Sequence, residues 1–165
     1  MFLEIKKCPL PQSYETMDDV EVFKTLGKGL FYAQEQILAH RLRLKQKGMI
    51  ELYDEQGRHL TDYKTNGKRV LSVSICMPEY DFFTERQMVE RILEVGRTGT
   101  FHAYDENRES ALNGLNGRLE RIRKLMAQLN DEKQVEHRAF FNSHFLVLQQ
   151  NRMILRFSDG IERLF

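Results

Sequence analysis

Arg69-Val70-Leu71-Ser72-Val73-Ser74-Ile75-Cys76-Met77 is the stretch on which the reading of the fold turns. Leu71, Val73, Ile75 and Met77 alternate with Val70, Ser72, Ser74 and Cys76, the two-residue period of a β-strand. Pro78 has no N–H to give to a ladder, so the strand stops there. Upstream, Phe2 to Lys6 shows the same alternation, with Leu3 and Ile5 on one side, and Pro9 and Pro11 close it. Met49 to Tyr53 and Thr100 to Tyr104 also read as strands.

Helical spacing fills the intervals between these strands. Thr16 or Asp18 can cap a helix in which Val22, Phe23, Leu26, Leu30, Ala33, Ile37 and Leu44 recur at helical steps. Gly48 stands where a left-handed residue would end it. Gly27 and Gly29 each cost about 1 kcal/mol relative to alanine inside a helix, which predicts a kink or a break. Thr84-Glu85-Arg86-Gln87 has the spacing of a capping box, opening a helix through Met88, Val89, Ile92 and Val95 that Gly96 would stop. Gln56-Gly57 and Asn66-Gly67 are turn signals.

The resulting order, strand–helix–strand–strand–helix–strand, predicts an α+β protein with a ferredoxin-like βαββαβ core over residues 1–105. The rest, 106–165, reads as one or two helices and a small C-terminal antiparallel β-meander. Leu112, Leu115, Leu119, Ile122, Met126 and Leu129 step by three and four residues, a heptad seam. The Leu-Asn-Gly doublet at 112–117 weakens its first turn and moves the expected start of the helix toward Arg118. A further helix is expected around Val135 to Phe141. Gln150-Asn151 and Asp159-Gly160 mark the turns of the meander. No proline- or serine-rich linker divides the chain, so 1–165 reads as a single domain.

Composition narrows the chemistry. The 165 residues are 41% hydrophobic and 30% charged, and eleven Phe and six Tyr can supply a core. Twenty-five basic residues against 24 acidic ones leave a net charge of +1, without the basic excess of a protein that tracks a nucleic-acid backbone. Cys8 and Cys76 are the only cysteines, too few for a four-ligand zinc site, and they read as thiols of a reducing compartment. Glu4 falls where a signal peptide would be apolar, and no run reaches the roughly 18 apolar residues of a membrane span, so a cytoplasmic address without membrane contact is expected. The motifs of a P-loop, a dinucleotide fold, a zinc protease and a nucleophile elbow are missing. Neither cofactor nor metal is expected.

Three candidate sites remain. The sheet face opposite Leu3, Ile5, Ile50, Leu52, Leu71, Val73, Ile75, Phe101 and Ala103 would carry His102 and Tyr104, weak candidates for an acid–base pair in metal-free cleavage. In the meander, two-residue turns would set Arg152, Arg156 and Arg163 on one side beside Phe145, a patch suited to an acidic partner or a phosphate. Like charges paired across strands are unfavourable unless an anion meets them. The seam through Leu119, Ile122, Met126 and Leu129 fits either packing within the chain or a homodimer. The leading expectation is a non-enzymatic interaction or regulatory domain that binds a macromolecule through its C-terminal region. The alternative is a ferredoxin-like nucleic-acid-binding protein, including a metal-independent ribonuclease.

Overall fold

A computed structural model describes residues 2–6, 18–64, 66, 72–76, 86–129 and 143–147. Helices make up most of these residues. After a first strand, β1 (Phe2–Lys6), helix α1 (Asp19–Leu26) leads through a π-helical turn, Gly27–Phe31, into α2 (Tyr32–Lys47). A hairpin follows, β2 (Met49–Tyr53) and β3 (His59–Lys64), and then β4 (Ser72–Cys76). Helix α3 (Arg86–Thr98), a 3₁₀ segment (Glu106–Leu112), α4 (Asn113–Leu129) and β5 (Ser143–Val147) complete the described order.

The ferredoxin-like core is not what forms. In a βαββαβ sheet the third strand lies between the first two and runs opposite to both. Here β4 instead pairs parallel to β1, from Phe2 with Ser72 to Lys6 with Cys76, and β5 pairs parallel to β4 on its other side. Among the described residues β2 pairs only with β3, in a separate antiparallel hairpin. A four-stranded layer is therefore absent among the described residues. Parallel neighbours need long crossover connections, and the helices between β1, β4 and β5 supply them. β5 covers the start of the expected meander, and the partner it has among the described residues is β4, to which it runs parallel. The rest of that meander, the expected helix around Val135 and the capping box at Thr84 lie outside the described residues.

The fourth expected strand, Thr100 to Tyr104, is a loop. Its alternation is nevertheless real: Phe101 and Ala103 are half-buried against the helical core, and Thr100, His102 and Tyr104 are exposed. Side chains replace the missing ladder. The Phe101 N–H donates to Asn116 Oδ1 at 3.0 Å, Asn116 Nδ2 donates back to the Phe101 carbonyl at 2.8 Å, and the Ala103 N–H donates to Glu109 Oε2 at 2.8 Å. An in–out pattern and satisfied backbone groups are thus achieved without a neighbouring strand.

The helices assemble for local reasons that the sequence displays. Asp18 caps α1, its carboxylate accepting the Glu21 N–H at 3.2 Å. Gly48, at φ 70°, ends α2 in the left-handed region, and its N–H donates to the Leu44 carbonyl at 2.9 Å. The Gly27-Lys28-Gly29 stretch widens into the π turn, where the Tyr32 N–H reaches back to the Gly27 carbonyl. Helix α4 begins at Asn113, five residues before Arg118, because the 3₁₀ segment delivers the chain into it directly.

α2 and α4 lie side by side and run in the same direction. The Gly27 end meets Leu115, Glu35 meets Arg118 and Arg121, and Lys45 Nζ reaches the Leu129 carbonyl at 3.0 Å. Both negative helix ends therefore lie together, which places a cation at Lys45 to advantage. The core between the helices is Val20, Leu26, Leu30, Phe31, Leu38, Leu93, Leu112, Leu115, Leu119, Ile122 and Met126. Fully burying each large apolar side chain contributes roughly 1.5–3 kcal/mol. A second buried stripe on α2, Ala33, Ile37 and Leu44, accompanies its packing against β1 and β4.

Gly96 is not a stop signal. α3 continues two residues past it, and the missing side chain lets Phe31 and Leu119 approach the helix backbone. Arg123 closes the end of α3, donating to the carbonyls of Gly96 at 3.2 Å and Gly99 at 3.0 Å.

Candidate functional site

The heptad seam lies inside the chain. Leu119 and Ile122 are 0% exposed and Met126 4%, while Leu129 packs at the margin of the same core. Of the two readings left open, packing within the chain and a homodimer, the buried seam fits the first, because a three–four repeat records burial without saying whose surface provides it and here the chain's own helices do.

His102 and Tyr104 share no sheet face, since their segment is a loop and β2 belongs to a different sheet from β1 and β4. His102 Nδ1 lies 2.9 Å from Glu109 Oε1. The Ala103 N–H foremost, with His102 beside it, holds the Glu109 carboxyl below the usual carboxylate range. Tyr104 is 99% exposed. In this structure His102 is tied to Glu109 and Tyr104 lies on the surface. Phe145 lies in β5, and Arg152, Arg156 and Arg163 lie outside the described residues.

A polar cluster has formed beside the π turn. Glu35 Oε2 accepts from Arg118 Nε at 2.9 Å and Glu35 Oε1 from Arg121 Nε at 2.6 Å. The Arg118 guanidinium also donates through Nη1 to the Gly27 carbonyl and lies 4.5 Å from the centre of the Tyr32 ring. Glu35 raises the Arg121 pKa above its ordinary value through that hydrogen bond. Every strong group here has a partner within the cluster, so its chemistry is that of a clasp between α2 and α4.

The hairpin presents a different surface. Asp54 builds its turn: the carboxylate accepts the N–H groups of Gln56 at 3.0 Å and Arg58 at 2.8 Å, and Arg58 Nε closes on it at 2.6 Å. These bonds, led by the Arg58 N–H, lower the Asp54 pKa. Gly57 occupies φ 76°, a conformation that side chains resist. Met49, Ile50 and Tyr63 are half-buried at the base of the hairpin, and exposure rises toward the tip. There Leu52 is 43%, Tyr53 53% and Leu60 63% exposed. Tyr53 stands edge-on to His59, ring centres 5.6 Å apart, and His59 Nε2 lies 2.7 Å from Asp62 Oδ1.

Sequence reasoning missed β3 because the register shifts between Leu52 and Tyr53. Thr61 faces Leu52 and His59 faces Tyr53, so Leu60 is the extra residue of a bulge and the period-two pattern breaks at that point. The available signal was the Gln56-Gly57 turn, which implies a returning strand after Met49 to Tyr53.

Among the described residues, no group of three His, Cys, Asp or Glu side chains could hold a metal ion, and no helix is long and apolar enough to cross a membrane. No protein-family model, curated protein or solved structure matches this chain.

Proposed function

We propose that this chain is an interaction domain that acts by binding a protein partner, and that the β2–β3 hairpin forms part of its contact surface. The observation that carries this reading is the exposed apolar tip, Leu52, Tyr53 and Leu60, on a two-stranded sheet. Such a hairpin has little stability of its own, and apolar groups on it gain most when a partner covers them. Its backbone edges also suit a partner that adds an extended strand. The arginines at 152, 156 and 163 belong to the same proposal as a second contact region, and the two widely spaced cysteines favour the cytoplasm as its setting.

The test is capture of proteins from the native cell extract on the immobilised chain, with Leu52→Glu/Leu60→Glu run in parallel. The hairpin variant should lose the captured protein and keep the circular dichroism melt of the parent. Equal capture by the variant overturns the hairpin as the contact. Arg156→Glu/Arg163→Glu in the same assay reports the second region. A salt-dependent gel shift with RNA, retained in the hairpin variant and lost in an Arg152/Arg156/Arg163 triple variant, would favour nucleic acid instead.

A further inference from the structure

We draw no further inference here: the strongest candidate, the buried and unpartnered Gln34 amide on α2 one turn beyond the Gly27–Phe31 π segment, carries nothing because nothing among the described residues shows what would meet it.

Discussion

Gly96→Ala sets two opposing effects against each other at one position of α3. Alanine is the better helix former, by about 1 kcal/mol in a helix interior. The added methyl, however, would lie 2.4 Å from Phe31 Cε1, 2.8 Å from Phe31 Cζ and 3.1 Å from Leu119 Cδ2. Carbon atoms rest about 3.5–4.0 Å apart, so the nearest overlap exceeds about an ångström. Phe31 and Leu119 are both 0% exposed, and the Phe101 ring stands 6.3 Å from that of Phe31. Phe101 is held in turn by Asn116 through two backbone hydrogen bonds. The Phe31 ring therefore cannot swing aside without moving a fastened neighbour. Overpacking of this kind costs typically about 1–3 kcal/mol, so a net loss of up to about 2 kcal/mol is expected after the propensity gain. Urea unfolding followed by circular dichroism should show a midpoint lower by up to about 1 M at an m-value of about 2 kcal/mol/M. In a Phe31→Leu background the penalty of Gly96→Ala should shrink, since the clashing ring atoms are gone. A raised midpoint for Gly96→Ala in the parent would refute the close approach of α3 to Phe31.

Leu119→Ala should destabilise by about 2–5 kcal/mol, as deletions in a packed core do. The parent's unfolding midpoint should not depend on protein concentration, whereas a seam shared between two chains would make it do so. Gln34→Met replaces a buried amide whose Nε2 and Oε1 have no partner, and the melt should rise, by about 1–3 kcal/mol of relieved desolvation; a fall would reveal a partner. Arg118→Met removes the donor to the Gly27 carbonyl and the Glu35 pair, and should cost about 1–3 kcal/mol, measured by urea unfolding; an unchanged midpoint would show that the clasp is dispensable. For Asp18, the hydrogen bond from Arg108 first, then the Glu21 N–H, lowers the folded-state pKa below the unfolded one. Its contribution is accordingly full above the unfolded value and lost as pH falls through the folded value. Asp18→Ala should be less stable than the parent at neutral pH, with the gap closing in acid; a gap independent of pH would exclude the carboxylate as its source.

Much of the helical frame was legible because its causes are local. Asp18 as a cap, Gly48 as a left-handed stop and the disturbance at Gly27 and Gly29 each follow from what a single residue's backbone or side chain can do. The seam from Leu112 to Met126 was equally legible as a buried stripe. What covers it was not, because burial by a neighbouring helix and by a second copy leave the same spacing. The exposed tip of the hairpin was hidden for a related reason: one bulged residue, Leu60, shifts the alternation on which strand recognition depends.

By itself the sequence determined β1, β2, β4 and the run of α1 into α2, since period, capping and turn chemistry act over a few residues, whereas Thr100 to Tyr104 carries a strand's alternation and is a loop. Only the tertiary structure decided which strands become neighbours and in which direction they run. Leu71 to Met77 alternates in the same way whether its partner is parallel or antiparallel, and Phe101 and Ala103 alternate against a helical core with side chains in place of a strand. Direction is set by the long crossovers through the helices, whose packing is a property of the whole chain.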